Sequence, residues 1–279
     1  MNSKKLIKYF TNLLKDDEIL LLKSQDSFYK NHYLGSPLNK LTNFSGTEGE
    51  AVIDKSGKIT IFVDTRYHIL ADKQVFEDVE VYKMSLGETF LEAFEKQYSK
   101  NTVLFVPNDI LLKDYLKLDK HFDLRKYTLD KKYLKNLDIN KKEKIFEVDN
   151  EIEKLDFTFK VEKLKKTNKG VNKMLVFDLD EIAYLTNLRS FQMNFSSLFA
   201  SILYLDFKNS NYILFLDDDL KNIKINNLKI MKLECFNDFI SSVDEEIYYD
   251  IDKITLENFL LIQKFALNHI PINLLLIAF

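Results

Sequence analysis

The sequence has few of the residues from which disulfides, metal cages and flexible loops are built. It contains one cysteine, Cys235, no tryptophan, six glycines and three prolines in 279 residues. A single cysteine cannot close a disulfide within the chain, and it excludes a multi-cysteine zinc cage. The four histidines lie far apart without an HxxxH or HExxH pair, so we do not expect a compact histidine metal site.

An excess of charge of one sign is also missing. The 40 basic and 43 acidic residues nearly cancel, at a formal net charge of −3. No overall field therefore directs the chain to nucleic acid or to an anionic membrane, and neither partner is expected. The apolar segment 271–279 is about half as long as a membrane span requires. Together with the single thiol and the absence of a signal-like start, this predicts a cytoplasmic location.

Arginine is the scarcest charged residue type. Only Arg66, Arg125 and Arg189 are arginine among the 40 basic residues. A position that keeps arginine where lysine is the rule can require a planar, bidentate fork. Arg66 and Arg189 are therefore candidates for a structural or functional role. The alternative is that the composition of the sequence has drifted toward lysine and that the three remaining arginines have no special role.

The order of apolar runs predicts two α/β domains. Strands alternate with helices, and a hairpin is predicted in each half, at 50–64 and at 199–217. Asn108 or Asp109 is predicted to cap the helix that follows Pro107. Dense lysine and aspartate mark a join between the halves. We predict a first domain over 1–125, a linker over 126–144 and a second domain over 145–279.

The two halves resemble each other. Leu-Thr-Asn-Phe at 41–44 matches Leu-Thr-Asn-Leu at 185–188, and each is followed by a small-residue loop and a hairpin. The repeat indicates a duplicated domain. Each copy is predicted to be a mixed sheet flanked by helices.

Two segments of the first half carry candidate site residues. Gly46 and Gly49 allow the loop before the hairpin to turn tightly or to approach another chain, and a plain tight connection is the alternative. Asp64 stands at a strand-to-helix junction, where it can cap the helix. Arg66 would then lie on the first turn, an unfavourable place for a cation, which points to a carboxylate or an external partner.

The second half offers a different chemistry. A strand followed by Asp178-Leu-Asp180, together with an acidic run at 217–219, is similar to the haloacid-dehalogenase-like phosphohydrolases, in which the first aspartate is the nucleophile. That family's threonine is missing after Asp180, and no glycine follows Gly170. A capping Asp178 explains the same pattern, so the phosphohydrolase is the less favoured alternative.

Three segments together resemble the Xaa-Pro aminopeptidases, or aminopeptidase P. The segments LTNFSGTEGEAVI (41–53) and FVDTRY (62–67) resemble that family's SGFxGSxG loop and TDGRY motif. LDEIAYLTNLR (179–189) is similar to the LDDIAWLLNLRG segment of its second domain, which points to the three-domain form. The resemblance implies two creatinase N-terminal-like α/β domains. The chain departs from the family at 26–31, where His and Glu of an Asp-Pro-His-x-x-Glu run are lost, and at 190–199.

The resemblance also implies a function for the whole enzyme. Aminopeptidase P releases the N-terminal residue from peptides whose second residue is proline, using two divalent metals, usually manganese. Those metals lie in a third, pita-bread domain, and this sequence stops where that domain should begin. We therefore expect no catalytic or metal-binding residue and no cofactor in this chain. The resemblance gives its domains the roles of limiting substrate access and assembling oligomers.

The candidate residues for substrate access or interfaces are Arg66, Tyr67, Asp64, Gly46, Gly49, Arg189 and Asn187. The expected partners are a second copy of the chain or a separate catalytic domain, with proline-containing peptides only if that domain is present. A freestanding interaction module or a degenerate remnant of the enzyme is the alternative. The placement of the apolar segment 271–279, packed inside or open, separates these alternatives.

The first prediction concerns metal. Because two hard metal ions need several carboxylates and a histidine in one cage, the purified chain should bind neither Mn²⁺ nor Zn²⁺ tightly and stoichiometrically. Titration calorimetry checks this. A site of micromolar or better affinity, about −8 kcal/mol, would contradict the assignment of the chain as non-catalytic.

Overall fold

A computed structural model of the chain describes eight stretches of the sequence. These are residues 3–24, 36–129, 144–149, 153–193, 196–217, 220, 223–265 and 269–272. The chain divides into two compact units, Met1–Ile139 and Asn140–Phe279. None of the helices in the described stretches is long and apolar enough to cross a bilayer.

The first unit is a six-stranded mixed sheet with helices. Its strands are β1 (Glu18–Lys23), β2 (Glu50–Asp54), β3 (Ile59–Val63), β4 (Glu80–Lys83), β5 (Val103–Pro107) and β6 (Asp123–Tyr127). Its helices are α1 (Ser3–Leu13), α2 (Pro37–Thr42), α3 (His68–Gln74), α4 (Phe90–Gln97) and α5 (Leu112–Leu118). The strand order is β4-β3-β2-β1-β5-β6. Strand β2 runs antiparallel to β1 and β3, and the other pairs are parallel.

Burial explains why these segments form these elements. Strand β1, with the sequence EILLLK, lies near the middle of the sheet, and its first five residues are buried. A strand covered on both faces reads as a continuous apolar run, as this one does. Leu6, Phe10 and Leu14 recur at helical spacing and are at most 2% exposed, so one face of the α1 segment packs on the core.

The second unit repeats the first. Its strands are β7 (Phe146–Glu147), β8 (Lys173–Val176), β9 (Leu188–Arg189), β10 (Ser201–Asp206), β11 (Asn211–Leu216), β12 (Leu228–Met231), β13 (Ile247–Asp250) and β14 (His269–Ile272). Its helices are α6 (Phe157–Thr167), α7 (Leu179–Thr186), α8 (Phe236–Ser241) and α9 (Leu256–Phe265). The main sheet has the order β12-β11-β10-β8-β13-β14, and β7 and β9 form a small separate sheet.

Every strand pair of the second sheet runs in the same sense as its counterpart in the first. Strand β10 is antiparallel to β8 and β11, and the other pairs are parallel. The predicted fold class, two similar creatinase N-terminal-like α/β units with mixed sheets flanked by helices, is confirmed. The predicted domain limits stay a prediction.

The repeated Leu-Thr-Asn sequence forms the same corner in both units. The Thr42 hydroxyl donates to the carbonyl of Leu38 at 2.8 Å, and the Thr186 hydroxyl donates to that of Ile182 at 2.7 Å. The next residue is left-handed in each case, with φ 61° at Asn43 and 57° at Asn187. Asparagine is one of the few residues besides glycine that tolerates this conformation, so it ends the helix without a glycine.

The structure corrects one local prediction. Neither Asn108 nor Asp109 caps the helix after Pro107, because α5 begins at Leu112 with Leu111 in the cap position and no side-chain cap. The Asn108 amide instead donates to the hydroxyl of Thr128 at 2.6 Å.

Strand β6 ends at Tyr127, two residues into the stretch 126–144 predicted as the linker. Its residues are half-buried or exposed, so the strand lacks the apolar run that would have revealed it.

A second prediction concerns the two asparagine corners. Asn187→Ala should destabilise the chain more than Asn43→Ala, by about 3 against about 1.5 kcal/mol in urea unfolding followed by circular dichroism. Both variants force alanine into the left-handed region. Asn187 is in addition 5% exposed, and both its Oδ1 and its Nδ2 make hydrogen bonds that alanine would lose. As controls, Asn43→Gly should recover most of the loss and Asn187→Gly should not. Equal losses for both alanine variants would contradict this account.

Candidate functional site

The predicted site residues of the first unit meet at one edge of its sheet. Strands β1, β3 and β5 run parallel, so their carboxyl ends lie at the same edge, where β2 begins. Lys23, the last residue of β1, is paired in register with Glu50, the first residue of β2. The loop that contains Gly46 and Gly49, here called the glycine loop, leads into β2 at this point. Asp64 follows the last residue of β3 at the same edge. We call the region formed by Lys23, Glu50, the glycine loop and the segment 64–67 the carboxyl edge. In open α/β sheets, ligands bind beyond the carboxyl ends of the strands.

Asp64 and Arg66 form a closed unit at this edge. The Asp64 carboxylate caps a short 3₁₀ turn, Thr65–Tyr67, by accepting from the Arg66 N–H at 2.8 Å. The Arg66 guanidinium returns to the same carboxylate, with Nε 3.1 Å from both oxygens and Nη2 2.6 Å from Oδ2. This fork holds the pKa of Asp64 below its ordinary value and raises the pKa of Arg66. The carboxylate thus compensates a cation that the turn itself disfavours.

The two glycines are explained by aromatic packing. A Cβ on Gly46 would lie 2.2 Å from Cζ of Phe44 and 3.0 Å from Cδ1 of Tyr67. A Cβ on Gly49 would lie 2.9 Å from Cε1 of Phe44. The two rings meet edge to face, with centroids 5.6 Å apart. The glycines therefore allow the loop backbone to lie directly on Phe44, a close approach within the chain.

Tyr67 joins the loop to the arginine. Its hydroxyl is 2.5 Å from the hydroxyl of Thr47, and the Arg66 guanidinium carbon lies 5.3 Å from the centre of its ring. Arg66 itself is 65% exposed. A carboxylate fork and a ring thus hold an arginine whose outer side faces solvent.

Acids outnumber bases at the carboxyl edge. Lys23 lies between Glu50, at 3.4 Å, and Asp114, at 3.2 Å, and Glu48 interacts electrostatically with Glu50, Lys23 and Arg66. The acids are Glu48, Glu50, Asp64 and Asp114, and the bases are Lys23 and Arg66. This part of the surface therefore carries no excess of positive charge.

The remaining candidates, Asn187 and Arg189, lie in the second unit and end α7. Arg189 Nη1 donates to the carbonyls of Ala183 and Leu188. Lys160 donates to the carbonyl of Tyr184 at 2.8 Å and to the side chain of Asn187. Cations at the C-terminal end of a helix are favourable, and burial lowers the pKa of both Lys160 and Arg189. The contacts of Arg189 thus give it a structural role at the end of α7.

Sequence reasoning missed Lys160, whose side chain is 1% exposed. One signal was available: Lys160 lies within the apolar stripe of α6, next to Phe157, Val161 and Leu164. A lysine in such a stripe is expected to reach a buried acceptor, because an unpaired buried charge is costly.

Asp178 has the capping role that the sequence suggested. One oxygen accepts from the N–H of Asp180 at 2.9 Å, and the other lies 2.6 Å from Lys253 Nζ. Its side chain is 3% exposed. The phosphohydrolase hypothesis needs an accessible nucleophile here, and this carboxylate already holds a cap and an ion pair. Residues 218 and 219 of the acidic run that this hypothesis also uses lie outside the described stretches. The family departures at 26–31 and residues 273–279 of the apolar segment lie outside them as well.

The described residues also offer no ready cation cage. Among them, no group of three or more histidine, cysteine, aspartate or glutamate side chains is placed to hold a metal ion. Cys235, half-buried in a 3₁₀ turn, is the only cysteine of the sequence.

Comparison with known proteins agrees with this architecture. Residues 136–272 match the model of the creatinase/prolidase N-terminal domain. An X-prolyl aminopeptidase from Caenorhabditis elegans, a cytosolic enzyme with a di-nuclear active site, superposes with a TM-score of 0.76 at 15% identity. The match covers 96% of this chain and 50% of that one, so this chain spans about half the length of the enzyme.

Two other solved structures match less well. An aminopeptidase P from Streptococcus thermophilus has 17% identity and a TM-score of 0.33, over 48% of this chain and 97% of that one. An Xaa-Pro dipeptidase from Bacillus anthracis has 14% identity and a TM-score of 0.36, over 79% and 67%.

These findings show that the protein consists of two α/β units of the creatinase N-terminal fold. More particularly, the chain carries a creatinase/prolidase N-terminal domain over residues 136–272. The predicted resemblance to Xaa-Pro aminopeptidases is confirmed in family domain and in fold.

A third prediction concerns the glycine loop. Gly46→Ala should destabilise the first unit by about 2 kcal/mol or more, because its Cβ would displace the Phe44 and Tyr67 rings. Urea unfolding of the purified variant measures this loss. Gly87→Ala is the control: it has φ 81° but would meet nothing within 4 Å, so only the conformational cost of about 1 kcal/mol applies. A Gly46→Ala variant as stable as wild type would show that the rings do not constrain this backbone.

Proposed function

We propose that this chain is the non-catalytic front part of an Xaa-Pro aminopeptidase. In this role it forms a wall of the active site and limits which peptides reach it. The observation that carries the proposal is the superposition of 96% of the chain on 50% of an X-prolyl aminopeptidase with a TM-score of 0.76. The sequence resemblance at 41–67 and 179–189 supports the same assignment independently.

The division of labour has a physical basis. Peptide hydrolysis needs an activated water or nucleophile, and the di-metal chemistry of this class belongs to the other half of the enzyme. The front part contributes shape: a narrow entrance admits short peptides and excludes folded chains. The rigid elements of the carboxyl edge suit that task, because Asp64, Phe44 and Tyr67 restrict the motion of the loop and of Arg66.

The proposal includes partners and a location. A catalytic domain on another chain, or a second copy of this chain, would complete the assembly, and a cytoplasmic location is proposed with it. Leu86 and Ile69 are 90% and 71% exposed in the first unit, and Phe191 is 62% exposed in the second. Such side chains are candidates for contacts with either partner.

A fourth prediction tests the proposal by activity. The purified chain with Mn²⁺ should release no N-terminal residue from an Xaa-Pro peptide. Among the described residues, no cluster of acidic and histidine side chains is placed to hold the metals whose chemistry would lower the barrier by the roughly 8 kcal/mol or more that enzymes supply. Addition of a separately expressed pita-bread catalytic domain should produce turnover that depends on the concentration of this chain.

The controls separate the outcomes. The catalytic domain alone measures background, and Gly46→Ala tests whether an intact carboxyl edge is needed for full turnover. Turnover by the chain alone that scales with its concentration after removal of host peptidases would contradict the non-catalytic assignment. No effect of the chain on the added domain would favour a freestanding module or a remnant.

A further inference from the structure

The glycine loop is held from two sides. On the sheet side, Ser24 follows β1, and its N–H and hydroxyl donate to the carbonyls of Gly49 and Thr47, both at 3.1 Å. On the helix side, the hydroxyl of Tyr67 is 2.5 Å from that of Thr47. These contacts fix the second half of the loop. The first half, which begins at Ser45, depends on another group.

That group is Gln74, the last residue of α3. Its Oε1 accepts from the N–H of Ser45 at 3.1 Å and from the Ser45 hydroxyl at 2.8 Å. Its main-chain carbonyl accepts from the side-chain amide of Asn43 at 2.8 Å. Within the described stretches, no other side chain accepts a hydrogen bond from Ser45. One glutamine therefore connects the end of α3 to the asparagine corner and to the start of the glycine loop.

The two helix-side contacts come from one short segment of the chain. Tyr67 and Gln74 are seven residues apart, and side chains at that spacing lie on the same face of a helix. Together they hold Thr47 and Ser45, so α3 and the turn before it are joined to the loop at two points. Because a loop with two glycines has many accessible backbone conformations, such contacts are needed to keep it in one of them.

We infer that Gln74 is a positioning residue for substrate selection. It holds the first half of the glycine loop in one place, and the loop so held limits the size of the peptides that pass the carboxyl edge. The inference rests on the proposed function for the choice of peptides as substrates and of the loop as part of the entrance. Gln74 acts through Ser45 and takes no part in the chemistry.

Three variants test this role, each checked for folding by urea unfolding. Gln74→Met keeps the length of the side chain and removes the acceptor, whereas Gln74→Glu keeps an acceptor oxygen. Gln97→Met is the matched control, because Gln97 likewise ends a helix of the first unit, α4. It is exposed, and its side chain makes no hydrogen bond with the described residues.

Hydrogen exchange of the purified chain, followed by NMR, measures the loop without any partner. The amide of Ser45 should exchange about tenfold faster in Gln74→Met, because two hydrogen bonds are lost. In Gln74→Glu and Gln97→Met its rate should stay close to that of wild type. The amide of Lys58, which donates to Asp54 Oδ1 at 3.0 Å in the β2–β3 turn, is the internal reference and should not change.

A second measurement concerns selection. With the catalytic domain added, kcat/KM is compared for Ala-Pro-Ala and for a much longer peptide with the same first three residues. Gln74→Met should weaken the preference for the short peptide by about fivefold, the value of one net hydrogen bond, through KM and not through kcat. Gln74→Glu and Gln97→Met should keep the wild-type preference. A merely structural role of Gln74 predicts no change of preference in any variant.

The outcomes are distinguishable from those of the activity test. Unchanged exchange at Ser45 in Gln74→Met, or an equal rise in Gln97→Met, would overturn the inference even if the catalytic domain is activated and the proposed function stands. Faster exchange with an unchanged preference would also overturn it, because the loop would then not select substrates. If the wild-type chain does not activate the catalytic domain, the proposed function fails and the role in selection fails with it. The exchange rates then still show whether Gln74 holds the loop.

Discussion

Each unit depends on a helix that ends at a left-handed asparagine. At this corner the chain leaves the helix and turns toward the hairpin of the sheet, and the preceding threonine satisfies a carbonyl of the last helical turn. In the first unit the corner is followed directly by Phe44, whose N–H is bound by Thr42 and whose ring supports the glycine loop. A different helix end would move Phe44, the loop and Tyr67 together, because these groups pack on one another.

The two units use charge differently at equivalent places. In the first, Lys23 at the end of β1 pairs with Asp114 of α5. In the second, Asp178, two residues after the end of β8, pairs with Lys253, which precedes α9. Both pairs join the end of a central strand to the segment after the neighbouring parallel strand, with opposite polarity. Both units thus have an ion pair at this position, but the strand contributes the base in one unit and the acid in the other.

The three arginines make three different kinds of contact. Arg66 makes three contacts with one carboxylate, and Arg189 donates from a single nitrogen to two carbonyls. Arg125 places one donor on buried Glu18 and lies 5.9 Å from the ring centre of Phe105. A compact ammonium cannot make the planar fork of Arg66, whereas two carbonyls bound by one nitrogen are within its reach, as Lys55 Nζ shows with the carbonyls of Thr11 and Leu14. The rarity of arginine was thus a useful guide to constrained positions, although the constraint at Arg189 concerns a helix end.

The sequence alone determined the elements whose cause is local or periodic. Apolar runs and turn residues predict strand β1, the two hairpins and the caps at Asp64 and Asp178. The similarity of the segments 41–44 and 185–188 predicts the repeat of the units. The family resemblance likewise lies in contiguous motifs. Strand β6 escaped sequence reasoning because this edge strand buries little, and α5 starts later than its polar residues suggested.

Only the tertiary structure decided which residues share a site. It placed Gly46 under the rings of Phe44 and Tyr67, paired Lys23 with Asp114 across 91 residues and brought Lys160 to the end of α7. Those contacts join segments that are distant along the chain and close only when the sheet is formed. Sequence pattern records what each segment buries, whereas the folded sheet decides which charges and rings face one another.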